Sequence, residues 1–432
     1  MPEYIREWPQ QQIDQERTVQ QSNSRLEREH PDVVSPAPLR DATVWFMAIS
    51  VGVIVANIYY AQPLLADIAR TFRLTVTQAG TVAMLSQAGS ALGMFLFVPL
   101  GDVRERRSLI SVLLLGATVS LVLVTIAINA LWLMVASVAL GATAAVVHVF
   151  LPFAADLAPS HRRGRVVGTV MSGLLIGILL ARTFSGFLGA RFGWRAVYAI
   201  AAGMMLLLLI FVQFLLPRSE PRVRLSYAGL LRSIAHLFRE HQALRESALL
   251  GATFFCAFSA FWTTLIFLLE TPPYHYGSQV AGLFGLVGMA GALGAPLVGR
   301  FADRRGPRPA IGIALVLVFL SYLILIAFGK SLVGLIAGVL LLDFSVQAGH
   351  VSNQTRIYGL APEARSRLNT VYMVCYFAGG AIGSVLGAWS WRLAGWSGVC
   401  CLGLSVMAFG LLAFSRSTRA NRQDRQVALV ND

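Results

Sequence analysis

The sequence predicts an all-α membrane protein: twelve transmembrane helices in two six-helix halves that repeat one another. Three observations carry that expectation. Charged residues are 13% of the 432 and hydrophobic ones 56%, where a soluble chain carries about 25% charge. Apolar runs of about twenty residues recur, the length that crosses a bilayer's hydrocarbon core. Landmarks of the first half also return in the second at offsets of 201 to 203 residues: Asp102 with Asp303, His148 with His350, Pro159 with Pro362, and Gly193-Trp194 with Gly395-Trp396.

Taken in order, residues 1–42 are polar, rich in Gln, Glu and Arg, with Pro31, Pro36 and Pro38. They lack the short apolar core and small-residue cleavage site of a signal peptide and read as a disordered cytoplasmic tail. Six apolar segments follow at 43–66, 78–100, 108–128, 131–154, 165–188 and 195–216, forming the N-terminal half, 43–216. A polar stretch at 217–247 is the expected cytoplasmic central loop. It contains Arg218, Arg222, Arg224, Arg232, Arg239 and Arg245, and its Tyr227–Leu237 portion is amphipathic enough to lie on the membrane surface. Six more segments, at 248–270, 280–300, 309–329, 331–357, 368–389 and 395–415, form the C-terminal half, 248–415, before a second cytoplasmic tail at 416–432.

The net charge of +14 is a topology signal rather than a nucleic-acid footprint. Of the 35 basic residues, 28 fall in the tails and the loops after even-numbered segments, six fall in the other loops, and Arg182 lies within a segment. That excess puts both termini in the cytoplasm, which an even number of crossings also requires. Cys256, Cys375, Cys400 and Cys401 all sit in apolar segments without C-x-x-C spacing and are expected to be buried free thiols.

Two charged turns punctuate the repeat. Gly299-Arg-Phe-Ala-Asp303-Arg304-Arg-Gly306-Pro-Arg308 joins segments 8 and 9, and Val98-Pro-Leu-Gly101-Asp102-Val-Arg104-Glu-Arg106-Arg107 joins segments 2 and 3. On these residues the chain, over 43–415, resembles the major facilitator superfamily, whose loop signature matches Gly299…Asp303-Arg304…Gly306…Arg308. Ala56-Asn57-Ile-Tyr59-Tyr60-Ala-Gln62-Pro63 and Gln347-Ala-Gly-His350-Val-Ser-Asn353-Gln354-Thr-Arg356 are similar to the bacterial drug, sugar and nucleoside efflux branch. The resemblance implies alternating access, with the substrate site near mid-membrane between the halves. It also implies a cytoplasmic gate at Asp102, Arg106, Arg107, Asp303, Arg304 and Arg308, whose contacts hold while the inner side is closed and break when it opens. In the efflux branch, helix 5 carries a Gly-Pro pair linked with antiport; here Gly177, Ala181, Arg182, Ser185 and Gly186 occupy those places, so Arg182 replaces the Pro.

Ionisable groups at membrane depth are functional candidates because lipid makes them costly. Asp343, twelve residues into segment 10, is the expected proton carrier, because it alone among the carboxylates lies near mid-membrane. Asp67 and Glu270 sit at outer helix ends, within reach of water. Arg182 would balance Asp343 or hold an anionic substrate group. His350, with His148 at the equivalent place in segment 4, is a candidate relay, and pairing of either to a neighbouring polar group is the alternative. Expected substrate-binding residues are Asn57, Tyr60, Gln62, Trp262, Arg182, Gln347 and Asn353, which supply aromatic surface and hydrogen-bonding groups. Consecutive aromatics cannot share one helix face, and the family's cavity-lining helices 1 and 7 favour Tyr60 and Trp262. Glycine runs such as Gly285-x-x-Gly288-x-x-Gly291 are assigned to close helix packing.

No metal-ligand spacing, phosphate-cradling loop or acid–base cluster stands in the sequence, so neither a cofactor nor an enzymatic activity is expected. The expected partners are a small-molecule substrate, protons as coupling ion and the lipid bilayer, with the chain acting as a monomer in a bacterial cytoplasmic membrane. The leading reading is proton-coupled efflux of small organic molecules. Uptake symport on the same fold, or a non-transporting membrane receptor, are the alternatives.

Overall fold

The computed structural model describes residues 41–159, 162–219, 226–292, 306–361 and 364–431. The expected tail at 1–42 lies outside these, apart from its last two residues, and so do Asp303 and Arg304 of the charged turn. Ala42–Asp432 forms one unit, an all-helical bundle with no strand among the described residues.

Its helices are α1 (Asp41–Tyr59), α2 (Ala61–Phe72), α3 (Val76–Phe97), α4 (Leu100–Val103), α5 (Arg106–Thr125), α6 (Ala130–Thr143), α7 (Val147–Leu157), α8 (Arg163–Phe192) and α9 (Trp194–Leu215). After these come α10 (Tyr227–Glu240), α11 (Gln242–Glu270), α12 (Ser278–Ala292), α13 (Pro307–Phe328), α14 (Leu332–Tyr358) and α15 (Arg365–Asn431). α1 runs into α2, α3 into α4, and α6 into α7 through a 3-10 turn at Ala144–Val146, each pair making one continuous span. Among the described residues, ten helices are long and apolar enough to cross a membrane, and α12 is a shorter apolar helix.

Local chemistry sets the ends. Thr75 and Gln78 form a reciprocal capping box at the start of α3, and Asn129 caps α6 through the Trp132 amide at 2.8 Å. α15 is two helices: it breaks at Ala394–Gly395, where Gly395 takes φ +59. Gly193, its counterpart between α8 and α9, takes φ +82. Both positions demand the left-handed region that glycine enters without strain, so the repeat read from the sequence is also a repeat of backbone breaks.

The two charged turns start their helices differently. Glu105 accepts the Arg107 and Ser108 amides as N-cap of α5, whereas Gly306 (φ +85) precedes Pro307 at the start of α13. Missing N–H and fixed φ suit proline to that first position.

Two expectations change. The Tyr227–Leu237 stretch does not lie on the membrane surface by its apolar face. α10 buries Leu230, Ile234 and Leu237 in the protein, and Tyr227 donates to the Leu96 carbonyl at 2.8 Å while Ser233 accepts from Arg367. Cys401 is exposed and Cys375 half-buried, although all four thiols are free as expected. Cys401 sits on the outer surface beside Ser405, on a helix whose buried stripe is carried by Val399, Cys400 and Met407.

Trp45, Val112, Leu131, Phe214 and Val333 are among the large apolar side chains left on the outside. Such a surface would be an anomaly in water and is the normal face of a helix in lipid.

Candidate substrate site

A cavity of about 770 Å³ lies between α1, α7 and α8 on one side and α11, α14 and α15 on the other, within the range of small-molecule sites. It opens at the end of the bundle where Asp102, Asp156, Arg163, Arg365 and Arg367 stand, and narrows inward to Tyr59, Phe258 and Asp343. Apolar groups such as Val55, Leu151, Leu174, Leu175, Ile178 and Phe255 cover most of the wall. His148, Gln347, His350 and Gln354 supply its polar points.

The opposite end is shut by contacts between the halves. α8 and α12 touch backbone to backbone: a Cβ on Gly186 would lie 2.5 Å from the Ser278 carbonyl, and one on Gly282 2.7 Å from that of Arg182. Thr183 donates to the Gly282 carbonyl at 2.9 Å in the same seam. Beyond it, Arg70 bridges Asp67 at 2.5 Å and Glu270 at 2.7 Å, joining α2 to α11.

At the cavity's inner end, Arg182 is fully buried. Its Nε donates to Gln62 Oε1 at 2.7 Å. Its guanidinium lies 3.9 Å from the Trp262 ring centre, 5.0 Å from Tyr59 and 5.4 Å from Phe258. Both terminal nitrogens have no hydrogen-bond acceptor. Asp343 faces this group from α14, 4% exposed and with Oδ2 lacking a donor. The two charges interact electrostatically without coming within ion-pair distance. Gly288 makes room: a Cβ there would fall 2.8 Å from Asp343 Oδ1 and 3.2 Å from the Trp262 ring.

Comparison with known proteins gives the family from the amino-acid sequence and the fold from solved structures. Residues 47–383 and 275–429 match the Major Facilitator Superfamily. The chain belongs to the Major Facilitator Superfamily. It is 43% identical over 379 residues to an uncharacterized transporter, YgaY, of Escherichia coli O157:H7, covering 88% of this chain and 96% of that one. A probable transporter of Streptomyces coelicolor is 35% identical over 370 residues, 85% of each chain. A protein of Pasteurella multocida called "Probable sugar efflux transporter" is 26% identical over 358 residues, 81% of this chain and 86% of that one. Among solved structures, an inward-facing, unoccupied bacterial homologue of the lysosomal transporter Spinster superposes with TM-score 0.69 at 16% identity, covering 88% of this chain and 95% of that one. The nucleoside transporter NupG does so at 0.70 and 12% identity, over 87% and 99%. The chain is therefore a multi-pass membrane transporter of the major facilitator fold.

Of the residues expected to bind substrate, the fold brings Gln62, Arg182 and Trp262 together beside Asp343, an expected proton-coupling residue, and lines the cavity below them with Gln347 and with His350, another expected proton-coupling residue. His350 accepts or donates a hydrogen bond with the Tyr372 hydroxyl at 3.0 Å and stacks beside Tyr376 at 4.7 Å. Gln62, Arg182 and Trp262 stand behind the cavity wall, and Asn57, Tyr60 and Asn353 are not in it either. Asn57 donates to the Ile54 carbonyl at 3.0 Å and meets Met205, and Asn353 donates back to Gly349 at 2.9 Å. Tyr60 turns to a lateral groove of about 490 Å³ between α1 and α8. Its neighbour Tyr59 takes the place expected of it, because consecutive residues stand a quarter-turn apart on a helix.

At the mouth, Arg106 binds Asp102 at 3.5 Å and also Asp156, while Arg107 donates to the Gln213 carbonyl at 2.5 Å. Arg308 binds Glu246 at 3.1 Å, and Arg356 reaches the other oxygen at 2.6 Å. Each of these contacts stays within one part of the chain, residues 102–213 for those of Arg106 and Arg107 and residues 246–356 for those of Arg308 and Arg356. The sequence reading missed Asp156, Glu246 and Arg356, whose signal was a charge at a helix end. It also missed Arg70, the partner that ties Asp67 to Glu270.

Proposed function

We propose that this protein is a proton-coupled secondary transporter of small organic molecules that works by alternating access, with Asp343 as proton carrier. The observation that carries the reading is the position of Asp343: a carboxyl at membrane depth, in the cavity wall, beside a buried guanidinium that it does not touch. A group so placed can exchange its proton with whichever side the cavity opens to, and the nearby charge changes the cost of losing it. The substrate enters the cavity against Tyr59, Phe258, Gln347 and His350. Twelve crossings complete the architecture, counting α12 as the eighth and dividing α15 at Gly395. The charged end with the cavity mouth is the cytoplasmic side and both termini lie there, as the basic-residue excess requires. The bacterial sources of the relatives fit the cytoplasmic membrane, and the chain acts as a monomer.

Direction has two readings. Export is supported by resemblance to the efflux branch and by the name of the Pasteurella multocida relative. Uptake together with a proton is supported by Arg182, whose two acceptor-free nitrogens call for an anion. The test of proton coupling is Asp343→Asn in proteoliposomes screened over drugs, sugars and nucleosides. Transport driven by a pH gradient is expected to be lost while substrate exchange survives. Full gradient-driven transport by that variant would refute the assignment.

A further inference from the structure

The cavity wall is unbalanced in charge. At the mouth both acids, Asp102 and Asp156, lie against Arg106. Arg163, Arg365 and Arg367 line the same mouth, and their partners among the described residues are neutral: the Ala155 carbonyl at 3.0 Å, the Tyr358 carbonyl at 3.2 Å and the Ser233 hydroxyl. The positive-inside rule explains why arginines lie on this face but not why three of them point into the cavity. A funnel of one sign concentrates ligands of the other. Deeper in, the acceptor-free nitrogens of Arg182 repeat the imbalance. Tyr59 and Phe258 form the wall on one side and cover that guanidinium on the other, so it lies one ring behind the cavity. Cation–π contact offers about 0.5–2 kcal/mol, which does not replace the hydrogen bonds lost when a guanidinium leaves water. Between mouth and inner end the wall is mostly apolar, with His148, Gln347, His350 and Gln354 as its polar points.

We infer that the substrate is an amphiphilic organic anion: an apolar body carrying a carboxylate, sulfonate or phosphate that takes the free nitrogens of Arg182, bound together with a proton on Asp343. Joint binding follows from competition. Asp343 is faced by Arg182 from α8, Trp262 from α11 and Tyr376 from α15, with Gln347 and His350 on its own helix, and Arg182 is the one cation acting on it among the described residues. A substrate anion on Arg182 removes the charge that stabilises the carboxylate, so anion and proton assist each other's binding, and by linkage the assistance is reciprocal. The inference rests on the reading of Asp343 as proton carrier and selects co-transport over exchange.

The test uses a matched set of probes on the purified full-length chain: naphthalenesulfonate, naphthoate, neutral naphthamide and naphthylmethylammonium, followed by calorimetry in buffers of different ionisation heat. Both anions are expected to bind at least about tenfold more tightly than the amide, equivalent to about 1.4 kcal/mol, with proton uptake that vanishes in Asp343→Asn. Arg182→Gln should narrow the preference to about twofold, while Arg182→Lys retains it. Equal or tighter binding of the amide or the cation, binding by none of the four, or an undiminished preference in Arg182→Gln each overturn the inference. Should Arg182→Gln fail to fold, the double variant Arg163→Gln/Arg365→Gln decides: anion association should lose its salt dependence, and an unchanged dependence overturns the inference. Flux in proteoliposomes separates the two readings. Arg182-dependent anion binding without proton-coupled flux would leave the site standing and end the transport reading. Gradient-driven flux of the amide but not of the anions would do the reverse.

Discussion

Gly288 and Gly291 stand one helical turn apart on α12, and substitution of each tests a different property. A Cβ on Gly291 would meet the Leu340 carbonyl at 2.5 Å, a backbone atom that cannot step aside. Gly291→Ala is therefore expected to lower stability by about 1–3 kcal/mol, read as a fall in melting temperature. A Cβ on Gly288 would meet the Asp343 carboxyl, 2.8 Å from Oδ1, and a side chain can rotate. Gly288→Ala should keep most of its stability and lose at least about tenfold in gradient-driven transport. Wild-type transport by that variant would argue against Asp343 as proton carrier. The glycine run read as helix packing thus holds one position whose small size serves the site. Tyr59 and Tyr60 give the same lesson: composition named the pair, and only the rotation of α1 chose which one faces the cavity.

The elements that close the far end are α2 and α11 at the Asp67–Arg70–Glu270 bridge and α8 with α12 at Gly186 and Gly282. An exposed ion pair is worth about 0–1 kcal/mol, so the bridge biases the closed form rather than locking it. A covalent link should lock it. In a chain with its native thiols replaced, Asp67→Cys with Glu270→Cys is expected to cross-link on oxidation and to lose transport until a reductant is added. Unimpaired transport by the cross-linked protein would show that this end does not open. α10 spans the other end, bonded to α3 through Tyr227 and to α15 through Ser233. Its amphipathic period was legible in the sequence, but a helix with one apolar face can lie on lipid or on protein with equal logic. The packing surface offered by Leu96 and Arg367 decided between them.

For the whole molecule, the cavity opens at the charged end and a seam closes the other, the arrangement that the proposed alternating access requires of one of its states. On the proposed topology the basic-residue excess puts the cytoplasm at the cavity mouth. Fusions of a periplasm-active phosphatase and of a fluorescent protein to the C-terminus test it: the fluorescent fusion should be active and the phosphatase silent. The opposite result would invert the mouth and the seam, and the direction of steering with them.

The sequence by itself determined the apolar spans, their pairing into halves and the Gly193/Gly395 breaks, because lipid restricts a chain to helices of fixed length and because glycine enters a positive-φ backbone without strain. It also named Asp343 and Arg182, since a charge in an apolar run is rare enough to be conspicuous. Only the tertiary structure decided that the two stand apart with Trp262 against the guanidinium, and that Asn57 and Asn353 satisfy their own helices. It alone showed that Arg106 finds Asp156 fifty residues on, and that Asp67 and Glu270 share Arg70. Those facts depend on how helices rotate and tilt against one another. Rotation is set by the sum of many small packing contacts across the bundle, and no single stretch of sequence records it.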